Sequence, residues 1–326
     1  MQMKVKETLK LAKDGGHLII ASFNAFIEDS ALTMSAALAY YTVFAMAPLL
    51  IMLISLVSYF YGGDAINRKL FQEINGLVGN QTAFQIQEVI RNVSLKNNST
   101  FAVILGVITL FIGATGVFIE IQDSINHIWR VKAKPENGWE KMLINRVLSF
   151  SMIISLGFLL IVSLIINGLI LALSDQLSQY WPDVTILVIN IFNVVLTFII
   201  ISALFAVIYK FLPDVEISWS DVRIGAFFTA TLFIVGKFFI GIYIEKVGPG
   251  SAYGAAGSLI VILAWVYYTS AILYFGAEFT QVYSENYGGK IKPASYAVHI
   301  IQTEEEKTVK VLPPKEHEVE QEKIQS

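Results

Sequence analysis

The hydrophobic residues of this chain are concentrated in six long stretches that contain few charged residues. A helix that crosses the hydrocarbon core of a bilayer needs about 20 mostly apolar residues, and each stretch reaches that length. The pattern therefore predicts an all-α integral membrane protein with six transmembrane helices in one bundle. The predicted spans are residues 31–61, 101–120, 147–173, 184–209, 224–244 and 253–277.

The composition supports a membrane protein. Of the 326 residues, 55% are hydrophobic and 15% are charged, whereas about a quarter of the residues of a soluble domain are charged. The chain has no cysteine, which excludes disulfides and thiolate metal sites. Charged residues interrupt the first 29 positions, so we expect no cleaved signal peptide.

Lysine and arginine residues predict the orientation of the bundle. Six spans place both termini on one side, and the segments on that side contain seventeen lysine and arginine residues against five in the opposite loops. Such residues accumulate on the cytoplasmic side of membrane proteins. We therefore predict that both termini are cytoplasmic and that the protein is multi-pass.

Three parts surround or cap the spans in the predicted domain organisation. Residues 1–29 form a cytoplasmic or interfacial amphipathic segment, because Ile19, Phe23, Phe26 and Ile27 share one helical face. Within the transmembrane domain, 30–285, residues 62–100 have the spacing of two short helices. They form either an external cap on the bundle or solvated loop helices. Residues 286–326 form a cytoplasmic, largely disordered tail, since the chain from Thr303 is rich in charge and lacks aromatic residues.

The first span is longer than a bilayer requires. No charged residue occurs between Ser30 and Gly63, a stretch of 34 residues, or about 51 Å of helix at 1.5 Å per residue. We expect this span to be kinked or unusually long. Pro48, which lacks a backbone donor, is the predicted kink.

Three stretches together resemble the YihY/BrkB family of bacterial inner-membrane proteins. They are "SAALAYYTVFAMAPLLIML" (35–53), "YKFLPDVEISWSDVRIGAFFTATLFIVGKFFIGIY" (209–243) and "SAYGAAGSLIVILAWVYYTSAILYFGAEFTQ" (251–281). The resemblance covers about residues 17–285 and implies six spans with cytoplasmic termini in the bacterial plasma membrane. Members have been labelled ribonuclease BN, linked to serum resistance or proposed as transporters, including of lipids.

The residues argue against the ribonuclease label. A metal-dependent nuclease needs histidines and carboxylates clustered around an ion, whereas the four histidines of this chain are far apart in sequence. No phosphate-binding glycine loop and no hydrolase or zinc-protease motif occurs. We expect no enzymatic activity, no metal, no cofactor and no nucleic-acid partner.

A lysine inside the fifth span is the sharpest candidate for a binding residue. Lys237 shares a helical face with small residues, which indicates that it points into the bundle. It lies about 10 Å from the outer end of its span at 1.5 Å per residue. Asn167 and Asn190 lie about 9 Å deep and Asn193 about 14 Å deep on the same estimate. These four residues are the predicted lining of a solute site.

Several readings of these polar residues remain open. Lys237 could be satisfied by amide and carbonyl oxygens, be neutral, bind an anionic ligand such as a phosphate or carboxylate, or extend towards the headgroups. The asparagines could simply join helices by hydrogen bonds.

Two carboxylates, Glu278 and Glu120, lie at the inner surface on the same depth estimate. They predict either a cytoplasmic gate or interfacial hydrogen bonding with the basic residues that follow the second span.

Two functions follow from these features. The first is a transporter or flippase-like protein for an anionic or amphiphilic solute, with a lipid-related substrate included. The second is a non-transporting membrane scaffold on which the cap or the tail binds partners that assemble the cell envelope.

Overall fold

The computed structural model describes the backbone of residues 2–61, 84, 100–134, 182–247 and 257–301. It describes the side chains of residues 15–46, 84, 113, 115–134, 191–246, 257 and 259–301. The predicted third span (147–173), most of the predicted cap (62–100) and residues 302–326 of the tail lie outside the described residues.

The described residues form six helices and four short strands. The helices are α1 (Gln2–Glu28), α2 (Ala31–Tyr61), α3 (Thr100–Ile128), α4 (Pro182–Phe211), α5 (Trp219–Val247) and α6 (Gly257–Asn286). The strands are β1 (Val131–Ala133), β2 (Val215–Glu216), β3 (Lys292–Pro293) and β4 (Ala297–His299).

Three helices in the described part of the chain are long and apolar enough to cross a membrane. They cover Ile191–Phe211, Trp219–Lys246 and Leu259–Asn286. This confirms a helical membrane protein.

The helix ends match the predicted span for α2 and lie beyond the predicted spans for α3 and α6. Helix α2 has the predicted bounds, and its backbone is helical through Pro48 over 31 residues. Helices α3 and α6 continue eight and nine residues beyond the predicted spans, to Ile128 and Asn286. These extensions are polar in sequence but contain buried residues such as Gln122 and Glu278, so they remain helical although they are not lipid-like.

Helix α6 lies at the centre of the described bundle, where it packs against α1, α2, α3 and α5. Glycines permit this packing. A Cβ atom added to Gly225 or Gly236 of α5 would collide with the side chains of Thr280 or Tyr268 of α6. Membrane helices approach closely where such small residues meet, because lipid supplies no hydrophobic force between them.

Hydrogen bonds join α4 to the same interface. The Tyr209 hydroxyl of α4 donates to the Leu273 carbonyl oxygen of α6 at 2.7 Å and lies 3.0 Å from Thr229 Oγ1 of α5. Gly276 of α6 leaves the space for both hydroxyls, since an added Cβ would collide with them. The ends of α4, α5 and α6 are therefore fixed to one another.

The strands tie the chain that follows α6 back to two connections. β4 pairs antiparallel with β1 after α3, and β3 pairs antiparallel with β2 between α4 and α5. The first sixteen residues of the predicted tail, 286–301, thus belong to the described structure, and the predicted disorder applies only to residues beyond them.

Helix α1 packs on the bundle through one side. Phe26 is buried and contacts Phe275 of α6 edge to face, with ring centroids 5.7 Å apart. Ile19, Phe23 and Ile27 are about half exposed, and Ile20 is exposed with them. The apolar face predicted for the membrane interface therefore contains Ile20 in place of Phe26.

We expect Gly225→Ala to destabilise the protein by about 1–3 kcal/mol, the usual cost of overpacking. The added methyl group would collide with Thr280. The matched control is Gly241→Ala on the same helix, where an added Cβ meets nothing within 4 Å and alanine gains up to about 1 kcal/mol in helix propensity. Thermal unfolding of the detergent-solubilised protein, followed by tryptophan fluorescence, measures both. Equal stability of the two variants would contradict the described contact.

Candidate functional site

Four carboxylate side chains are buried where α1, α3, α4 and α6 end and α5 begins. Asp29, Asp214, Asp221 and Glu278 are each at most 6% exposed. Buried carboxylates are costly unless hydrogen bonds or counterions compensate them. Their partners therefore separate structural groups from a candidate functional group.

Asp214 is satisfied by hydrogen bonds. Its carboxylate accepts from Gln122 Nε2 at 3.0 Å and Asn126 Nδ2 at 2.9 Å, both on α3. Its backbone N–H donates to Asn126 Oδ1 at 2.8 Å. Burial and the nearby Asp214 carboxylate raise the pKa of Tyr296, so the Tyr296 hydroxyl keeps its proton. Asp214 therefore joins α3 to the chain that follows α4.

Asp221 is satisfied in a similar way. The Ser218 hydroxyl caps α5 by accepting from the Asp221 backbone N–H at 3.2 Å. The Asp221 carboxylate accepts from Ser284 Oγ at 2.9 Å and from the Gly289 N–H at 3.0 Å. It fixes the start of α5 to the end of α6.

Asp29 forms an ion pair with Arg130. Arg130 Nη2 lies 2.5 Å from Asp29 Oδ1, and the two side chains are 27% and 4% exposed. Asp29 lies in the turn between α1 and α2, where Ser30 has φ 54°, and Arg130 follows α3 with φ 54°. Non-glycine residues are uncommon at positive φ. The ion pair thus links two tight turns that lie 101 residues apart in the sequence.

Glu278 is the buried carboxylate that lacks such compensation. Its side chain on α6 is 0% exposed, and neither of its oxygens makes a hydrogen bond to a described residue. The charged groups that act on it are Asp29, Arg130 and Glu28. Arg130 is the positively charged group among these three, and it is already ion-paired with Asp29.

A pocket of about 410 Å³ lies beside the turn that contains Arg130. Its wall includes Arg130 and the exposed residues Asp123, His127 and Lys132. The guanidinium group thus contacts both the pocket and Asp29. In the described residues, no three histidine, aspartate or glutamate side chains are arranged to hold a metal ion.

The predicted solute-site residues lie elsewhere. Lys237 is half-buried on α5 and Asn193 is half-buried on α4, and these two helices pack against each other. Asn190 lies on α4, but its side chain is outside the described part, as is Asn167 altogether.

The two predicted gate carboxylates have different surroundings. Glu120 is half-buried on α3, one turn before Ser124. Glu278 lies with Asp29 and Arg130 instead.

Sequence reasoning missed Asp29 and Arg130 as site residues. Arg130 was counted among the orientation charges, and Asp29 marked the end of the N-terminal segment. The sequence indicated them only weakly. Asp29 and Arg130 are charged residues directly beside predicted spans, and Glu278 is an acid that would need a counterion if it were buried.

We expect Asp214→Ala to lower stability more than the control Glu216→Ala. The first change leaves buried amide groups of Gln122 and Asn126 without their acceptor, at about 1–3 kcal/mol for each group. Glu216 is exposed on β2 two residues away. Thermal unfolding of the two purified variants measures the difference, and a Glu216 effect as large as that of Asp214 would argue against the described network.

Comparison with known proteins relates the chain to a family. The sequence profile of the family described as "Virulence factor BrkB" matches residues 22–299. A UPF0761 membrane protein of Pseudomonas paraeruginosa is 28% identical over 258 residues, which cover 77% of this chain and 59% of the relative. One from Vibrio vulnificus is 26% identical over 259 residues and 76% of each chain. The chain spans about three fifths of the length of the Pseudomonas relative. No solved structure matches it.

Proposed function

The chain belongs to the virulence factor BrkB family of membrane proteins, and we propose that it moves an anionic or amphiphilic solute, such as an anionic lipid, across the membrane. The observation that carries this proposal is Lys237, a half-buried lysine within a helix long enough to span the membrane. Ionisable side chains inside a membrane are costly and usually functional.

The surroundings of Lys237 support binding of a solute. On the packed side of α5, Ala226, Ala230 and Ile244 are buried, as the sequence predicts. Phe238 and Phe239, beside Lys237 in sequence, are more than 60% exposed, as lipid-facing residues would be. Lys237 therefore lies at the edge of the packed side.

Gly241 lies one turn further along α5, and a Cβ at this position would meet no atom of the described residues within 4 Å. The packing of α4 on α5 places the helix with Asn190 and Asn193 beside the helix with Lys237. In the proposed mechanism the ammonium group binds the anionic part of the solute, and asparagine amides bind its polar part.

The proposed setting is the bacterial plasma membrane, with six spans and both termini in the cytoplasm. In the described structure, α3, α4 and α6 end and α5 begins at one end of the bundle. This arrangement supports the proposal, because consecutive spans cross a membrane in opposite directions. Lysine and arginine accumulate on the cytoplasmic side of membrane proteins, and the described residues at that end include Arg130, Lys132, Lys210, Arg223 and Lys292. The buried carboxylates Asp29, Asp214, Asp221 and Glu278 would then lie near the cytoplasmic surface.

We expect Lys237→Met to slow solute movement by roughly 10- to 100-fold. Such a loss corresponds to about 1.5–3 kcal/mol for a hydrogen bond to a charged group. The probe is fluorescent phosphatidylglycerol in vesicles containing the purified protein, with its movement between leaflets followed by chemical quenching. Lys246→Met, at an exposed position near the end of the same helix, is the control and should retain wild-type rates.

Two results would count against this role. If Lys237→Met moves the lipid as fast as wild type, Lys237 is not the anchor. If the wild type moves neither this lipid nor its zwitterionic counterpart faster than empty vesicles, the scaffold function is favoured instead.

The predicted orientation can be tested without removing native thiols, since the chain has no cysteine. A cysteine at exposed Lys246 should react with a membrane-impermeant maleimide in intact cells from which any outer barrier has been removed. A cysteine at exposed Lys132 should react only after the plasma membrane is permeabilised. The opposite pattern would reverse the orientation.

A further inference from the structure

The starting point is the incomplete compensation of Glu278. Its carboxyl group is fully buried in the central helix, and no described residue donates a hydrogen bond to it. By contrast, Asp214 and Asp221 have two or more donors each. A buried ionised carboxylate without donors is strongly disfavoured, and a proton removes its charge.

The charges around Glu278 come from a small number of elements. Helix α1 and the turn after it contribute Glu28 and Asp29, and the turn after α3 contributes Arg130. Residues 31–46 of α2 contain no charged side chain. On α5, the nearest buried acid, Asp221, is held by Ser284. Acidic groups thus outnumber the single guanidinium group at this position.

Arg130 cannot fully compensate both buried carboxylates. It already contacts Asp29 at 2.5 Å. When Glu278 is protonated, the Asp29–Arg130 pair is complete and Glu278 can itself donate a hydrogen bond to Asp29. When Glu278 is ionised, it attracts the same guanidinium group and repels Asp29. The two protonation states therefore favour different positions of Arg130.

The pocket beside Arg130 supplies the proposed route for the proton. Arg130 forms part of the wall of the 410 Å³ pocket, together with the exposed residues His127 and Lys132. A shift of its side chain would connect the pocket to Asp29 and Glu278. A proton could then pass from the aqueous phase to the carboxylate.

We propose that Glu278 and the Asp29–Arg130 ion pair form a proton-binding site. The proton comes from water in the pocket, and one O–H bond forms on the Glu278 carboxylate; release breaks that bond and returns the proton to water. Release also weakens the ion pair that links the two turns at Ser30 and Arg130, so α1, α2 and α3 can shift around α6. This site deepens the proposed transport function, on which its role in coupling rests, by naming the coupling ion.

Infrared difference spectroscopy of the full-length protein in vesicles tests the site with the proton alone. On raising the pH, wild type should lose the carbonyl band of one protonated carboxyl group. Glu278→Gln should lack this change. Glu285→Gln, on the same helix but exposed, should keep it. Absence of the band from wild type, or its persistence in Glu278→Gln, would overturn the proposal.

Isotope labelling keeps the test decisive if Glu278→Gln does not fold. In wild type, the band should shift with carboxyl-¹³C glutamate and not with carboxyl-¹³C aspartate, and it should remain in Glu120→Gln. A shift with labelled aspartate, or loss in Glu120→Gln, assigns the proton elsewhere and refutes the site.

Different results would contradict the proposed proton site and the proposed transport function. Lys237→Met should retain the infrared change even where lipid movement is lost. A normal infrared change without lipid movement by the wild type would leave the proton site standing and remove the transport function. The reverse result would remove only the proton site.

Discussion

The close approach of α5 and α6 is the constraint on which the rest of the described bundle depends. Glycine residues at Gly225 and Gly276 let the two backbones meet, and Tyr209 of α4 enters the same contact. In a membrane this contact must come from shape and hydrogen bonding, since lipid is as apolar as the side chains. With α6 held there, its last turns lie close to the turns that follow α1 and α3. Glu278 is therefore near Asp29.

The buried acids at this end of the bundle illustrate how partners distinguish structure from function. Asp214 and Asp221 each accept at least two hydrogen bonds that join separate elements of the bundle. Their replacement should cost stability. Glu278 has the same burial but depends on a charge that is already engaged. A group in that position responds to the proton concentration, because its ionised form lacks the donors and the unshared counterion that a buried charge requires.

Hydrophobic patterning predicted helices long and apolar enough to span a membrane, and three such helices occur in the described residues. It did not predict that α3 continues beyond the apolar run, because Gln122 and Asn126 are polar in sequence, although Asp214 satisfies them inside the bundle. It assigned Phe26 to the lipid face because periodicity cannot tell which apolar side meets another helix. The carboxylate site was beyond its reach, since Asp29, Arg130 and Glu278 meet only through tertiary packing.

The short strands have a consequence for biosynthesis. β1 and β2 find their described partners only in residues 292–299, which follow the last described helix. The connections after α3 and α4 are made much earlier on the ribosome, where folding generally proceeds from the N-terminus. They must therefore wait, unpaired, until the final helix has been inserted. The strand pairs therefore form late in folding, because they can form only after the preceding helices have reached their places in the membrane.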